Sequence, residues 1–379
     1  MKRTITIITV LLMALLLSGV TAYAGEGQPF DEAFYEELLA SYDINSFEDE
    51  LDSETRERLR ELGLDNASLG ALSQLRPEDA LHVALAIVKS KAKAPLKGAV
   101  AVTVFLLLSS LFGSLKGEQD AMGELYGTVS AVTVAAMLIV CISPTVSAAA
   151  AAIEVAAGFI YAFIPVFITV VAASGGVTTA FSANALLLML SQGLSALAAN
   201  VFMPVINCML AVGICASLRR ELGLDGVALT MKKVISGAIA FIAGVYVSVL
   251  SVKTTLSARA DVLGIRSARF VINSVVPVVG GAVSEGLLSI ESYSSLIKSS
   301  VGIVGIAAIV LVFLPSVLEI TLWRVVLRLS ATVSRLFGES GTEGMLCAFA
   351  DAMMLMYVVL VVSALTTVVS VGILIAAGG

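Results

Sequence analysis

Runs of about twenty apolar residues recur along this chain, and lipid leaves such runs little choice of structure. They lie at about 96–115, 128–148, 155–174, 181–198, 199–218, 234–252, 301–322 and 353–377. Twenty residues is the length a helix needs to cross a hydrocarbon core. With no water at that depth, a spanning backbone must satisfy its own hydrogen bonds. The expected fold is therefore all-α: a polytopic helical membrane protein with about eight transmembrane helices. Composition agrees, at 58% hydrophobic and 14% charged residues, where a soluble domain carries about a quarter charged.

The N-terminus adds a second constraint. A basic start at Lys2-Arg3, an apolar run from Ile5 to Val20 and Ala22-Tyr23-Ala24 before Gly25 form an export-signal pattern. A multi-span protein inserts through its own first helix, so a removable signal implies a polar segment to be carried across first. Residues 25–79 fit, with sixteen acidic residues against four arginines. The expected organisation is a cleavable signal peptide at 1–24, an acidic, amphipathic extracytoplasmic helical region at 25–95, and a membrane domain at 96–379. Within the second part, Gly63 is a helix stop and Pro77-Glu78-Asp79 a helix start. Leu81, Ala84, Leu85 and Val88 form the stripe of a short helix suited to the membrane surface.

Residues 181–218 form one apolar stretch interrupted by Asn200, Pro204 and Asn207, which reads as a tight hairpin or as one long broken helix. With the mature N-terminus outside, a hairpin at Asn200 puts the loops holding Arg219, Arg220, Lys232 and Lys233, and Arg324, Arg328 and Arg335, inside. The positive-inside rule prefers that arrangement, so eight spans are expected. Lys89 to Lys97 and the acidic loop 116–127 fit it less well. Near 264–290 the apolar residues are too few for a clean span, and Pro277 with Gly280-Gly281 would interrupt a helix. A re-entrant or interfacial segment is expected there.

Candidate functional residues follow from the cost of polar groups at membrane depth. Arg266, Arg269, Asn273, Pro277, Gly280, Gly281 and Glu285 form a candidate conduit or docking element. Asn200, Asn207 and Glu319 are candidate intramembrane polar residues; Glu319 is expected to pair with a nearby arginine, and Glu154 to lie in a turn near the surface. No catalytic, cofactor-binding or metal-ligating set emerges. The chain has no G-x-x-x-x-G-K-[ST] loop, His82 is its only histidine, and no third ligand accompanies Cys208 and Cys215. Asp351, read as the start of its helix, leaves no aspartate deep in a span. These features argue against an enzyme.

The segment R-x-x-R-F-x-x-N-S-x-V-P-V-V-G-G from Arg266 to Gly281, with the export signal, the acidic region and the multi-span body, resembles the stage III sporulation protein AE family. The resemblance implies a multi-pass protein of the mother-cell membrane surrounding the forespore, in endospore formation. It also implies partners from the same operon (an ATPase, ring-forming and membrane subunits), a forespore-side channel protein, and no nucleic acid. The expected function is a non-enzymatic membrane subunit of a secretion-like channel complex joining the two cells. The alternatives are a stand-alone secondary transporter and a pure assembly scaffold.

Overall fold

A computed structural model describes residues 49–64, 77–114, 121–173, 190, 193–218, 223–224, 226–246, 248–249, 280–338 and 340–376. Among them there is helix and no strand. The expected signal peptide and most of the Arg266–Gly281 segment lie outside the described residues.

Helix α1 (Ser53–Glu61) begins at Asp52, whose carboxylate accepts from the Thr55 N–H, and ends in a left-handed turn at Gly63, φ 68°. Leu64 N–H donates to the Leu59 carbonyl and Gly63 N–H to that of Arg60. Those two bonds, with Leu59 and Leu64 both buried, make a helix stop of the kind glycine permits. Helix α2 (Pro77–Lys91) starts on its proline. Its buried residues are Val83 and Ile87, while Leu85 is exposed. It passes almost directly into α3 (Lys93–Ser114), with backbone bonds continuing across Ala92. The separate surface helix expected here is thus an extension of the first span.

Two further expectations are corrected. The spans at 128–148 and 155–174 are one 53-residue helix, α4 (Ala121–Ala173). The turn expected at Glu154 fails because Ala148–Ala152 is strong helix-forming sequence, and Pro144 and Pro165 are accommodated within the helix. At Asn200 there is no hairpin. Helix α5 (Gly193–Leu218) runs straight through it, with a π-helical turn at Ala198–Phe202. Met203 N–H reaches the Ala198 carbonyl, five residues back. Pro204 supplies no N–H to the Asn200 carbonyl and its ring crowds that group. A widened turn relieves the crowding without ending the helix.

Helices α6 (Gly226–Tyr246), α7 (Gly280–Leu336) and α8 (Ser340–Ala376) follow among the described residues. Gly280, Gly281 and Glu285 lie in the opening turns of α7. Residues 280–290 therefore belong to a 57-residue helix rather than to an interruption of one. Among the described residues six helices, at His82–Leu111, Thr128–Val166, Gly193–Leu218, Gly226–Tyr246, Ser300–Leu336 and Gly341–Gly372, are long and apolar enough to cross a membrane.

Their directions alternate. Thr145 meets Glu319 and Phe163 meets Gly305, so α4 and α7 are antiparallel. Arg328 with Asp351 and Arg335 with Glu343 make α7 and α8 antiparallel. Gly213 against Ala348 and Ser217 against Gly344 do the same for α5 and α8. Lys232 with Asp351 and Tyr246 with Ser370 make α6 parallel to α8. The α7–α8 hairpin is the core, about 70% of its apolar stretches being buried, while α6 stays mostly outside at 11%.

The α1 segment packs on this bundle at one end. Leu51 and Leu59 are buried, and the Glu50 carboxylate lies over Gly158 of α4, where an added β-carbon would meet it at 3.1 Å. Glu54 bonds Arg58 at 2.8 Å and Lys91 at 3.4 Å. The Arg58 bond above all, helped by Lys91 and opposed by partial burial, holds the Glu54 carboxyl below its ordinary value. A lowered folded-state value means the contact adds stability above the unfolded carboxyl range, and that stability is lost as pH falls through the folded value. Protease cleavage within α1 is expected to be flat from pH 8 to 6 and to rise below about pH 4.5. Glu54→Gln should remove the pH dependence; an unchanged acid profile in that variant would count against the contact.

Candidate functional site

Glu319 and Trp323 stand one turn apart on α7, so they share a face. Trp323 is fully buried and Glu319 is 8% exposed. Across from them, Thr145 of α4 donates its hydroxyl to Glu319 Oε1 at 2.5 Å and accepts from Trp323 Nε1 at 3.0 Å. The hydroxyl is thus used twice, and indole N–H, hydroxyl and carboxylate form one directed chain. One turn along each helix, the Ser316 hydroxyl reaches the Ala148 carbonyl at 3.4 Å. Helix α3 closes the cluster through Gly98, where any β-carbon would overlap the Trp323 ring.

The arginine partner expected for Glu319 is not the one it has. Arg324 lies five residues on, away from the face shared by positions three and four apart. Its guanidinium sits 5.4 Å from the Tyr357 ring centroid, within cation–π range.

A second polar cluster joins three helices. Asp351 accepts from Lys232 of α6 at 2.9 Å and Arg328 of α7 at 2.6 Å, both on Oδ1. Helix α8 begins at Ser340, so Asp351 lies eleven residues into it and not at its start. Beyond it, Arg335 binds Glu343 across the α7–α8 turn, which bends through Gly338 at φ 76°.

These clusters divide the bundle into layers. Glu50 lies over Gly158, thirteen residues along α4 from Thr145, and Arg328 is nine residues along α7 from Glu319. At 1.5 Å per residue the two charged layers are about 33 Å apart. A hydrocarbon core is about 30 Å thick. The Thr145–Glu319–Trp323 chain lies between them, at membrane depth.

Asn200 and Asn207 are both exposed, on the outward face of α5. Arg266, Arg269, Asn273 and Pro277 lie outside the described residues, and Glu285 is described as helix only. Among the described residues no group of three His, Cys, Asp or Glu side chains could hold a metal ion. Sequence reasoning missed Thr145, Gly98 and the role of Trp323. A readable signal existed in the chain's single tryptophan four residues after a glutamate; nothing local marks Thr145.

A family model described as stage III sporulation protein AE matches residues 72–378. A curated protein named stage III sporulation protein AE, from Bacillus subtilis (strain 168), is 24% identical over 227 residues. That alignment covers 60% of this chain and 57% of the relative, so it spans a little over half of the latter's length. No solved structure matches.

Proposed function

Because the chain belongs to the stage III sporulation protein AE family, we propose that it is a non-enzymatic membrane subunit of the secretion-like channel complex joining mother cell and forespore. The observation that supports this beyond family membership is the separation of charge along the bundle. Lys232, Arg328 and Arg335 gather at one end, and the acidic α1 segment docks toward the other. By the positive-inside rule the basic end faces the mother-cell cytoplasm. The acidic segment then faces the gap between the two membranes, as export of residues 25–95 requires.

Six crossings give the same orientation as eight. Counting the described helices, with Thr128–Val166 as one crossing and Gly193–Leu218 as one, gives two fewer crossings, and an even difference leaves both basic loops on the same side. The charge map constrains parity, not count. In this reading the exposed acids of the docked segment, Asp49, Glu57 and Glu61, meet basic partner surfaces in the gap. The Thr145–Glu319–Trp323 chain holds α4 against α7 as the wall of the assembly, and a separate ATPase supplies energy.

Deleting residues 31–75 behind an intact signal is expected to abolish co-purification of operon partners and block sporulation. Because that deletion also removes buried Leu51, Leu59 and Leu64, Glu57→Lys with Glu61→Lys provides a variant altered only at exposed positions. It should lower partner recovery at normal membrane levels. Normal sporulation in the deletion strain, with full partner recovery, would remove the docking role. Substrate uptake by the purified chain alone in liposomes would favour the transporter reading instead.

A further inference from the structure

The outward face of α5 carries amides where lipid would leave them unsatisfied. Gly193, Leu197, Asn200, Pro204, Asn207, Ala211 and Cys215 are all exposed. Their spacing of alternating fours and threes, with a final four, is that of a helix–helix seam. The depth of this seam follows from the helix registers. Gly213 lies opposite Ala348 and Ser217 opposite Gly344, so Asn200 falls level with position 361 of α8. Arg328 opposite Asp351 and Arg335 opposite Glu343 then bring 361 level with position 318 of α7. Asn200 therefore stands at the depth of Glu319, midway between the charged layers, and Asn207 about 10 Å nearer the basic end.

Two amides facing hydrocarbon at that depth call for hydrogen-bonding partners. An amide is both donor and acceptor, so the surface that complements it most simply is the same amide again. Two copies inserted with the same orientation can meet about a two-fold axis along the membrane normal. That symmetry pairs Asn200 with Asn200 and Asn207 with Asn207 at matching depths. Ala211 and Gly193 leave room for backbones to approach. We propose that this face of α5 seats the same face of a second copy, making the chain a parallel homodimer in the membrane through Asn200 and Asn207. The proposal needs only that α5 lie in a bilayer, and is independent of what the assembly conducts.

Cys215 ends the seam and Cys208 stands beside Asn207, both exposed, which provides a native readout. In full-length protein carrying Cys141→Ser and Cys347→Ser, in its own membrane, a short bismaleimide should yield a covalent dimer of this chain. Asn200→Leu with Asn207→Leu should lower dimer yield roughly tenfold, at unchanged Trp323 emission as a check of the fold. Ala211→Leu should lower it without touching an amide. Monomer adducts alone at both thiols in the parent protein would overturn the proposal, whatever the variants do. So would a cross-link to a different protein in place of a dimer, or a dimer indifferent to all three substitutions.

Discussion

Trp323→Ala is expected to destabilise the bundle by about 3 kcal/mol, the lower part of the range for truncating a large buried aromatic. The lower figure applies because lipid already satisfies apolar surface, leaving packing and hydrogen bonding to hold helices together. Trp323 touches two neighbours of α7: its ring lies on Gly98 of α3 and its N–H bonds Thr145 of α4. Truncation opens a void between three helices and leaves the Thr145 hydroxyl without its donor. Trp323→Phe should cost about 2 kcal/mol, since a smaller ring leaves part of the void against Gly98 and the hydrogen bond is lost. Thermal midpoints in detergent, with steady-state levels in membranes, would order the variants wild type, Phe, Ala. Equal midpoints for Phe and Ala would show that the hydrogen bond, and not the ring, carries the contact.

The second large effect is expected at Asp351. One carboxylate oxygen serves two cations from two other helices, so Asp351→Leu strands both Lys232 and Arg328 at the basic end of the bundle. Breaking a fully buried pair costs about 3–5 kcal/mol. Asp351 is about a quarter exposed and Arg328 more than half, so screening brings the expected loss down to roughly 2 kcal/mol. The sharper expectation concerns the triple variant with Lys232→Leu and Arg328→Leu added. With no stranded charge left, it should recover most of the lost stability. A triple variant as unstable as Asp351→Leu alone would mean that Asp351 acts through its shape in α8 rather than through its charge.

Much of the fold can be read locally, and the parts that cannot share a cause. Membrane helices, the stop at Gly63 and the start at Pro77 each depend on a few adjacent residues. The basic loops yield an expected orientation without any knowledge of packing, because charge acts at the membrane surface. Where a long apolar stretch stops being one helix is a different question. Pro144, Glu154 and Pro165 are each a plausible break within residues 121–173, yet neighbours on α7 and α3 keep the helix whole. Asn200 misleads in the same way: a polar residue before a proline suits a hairpin, but a single widened turn absorbs the strain. Glu319 was legible as a costly group, whereas its partner lies 174 residues away in sequence. Only the antiparallel register of α4 and α7 brings the two together.

The lengths of α4 and α7 have a mechanical meaning. The crossing segment of α4 has 39 residues, Thr128–Val166, and that of α7 has 37, Ser300–Leu336. At helical rise each is longer than about 50 Å, well beyond a hydrocarbon core of about 30 Å. A bilayer meets such a mismatch by helix tilt or by local thickening. Gly305 fitted against Phe163 couples the two helices, so they must tilt together. Shortening both by matched turns would then bring the bundle nearer upright, while leaving Thr145 opposite Glu319.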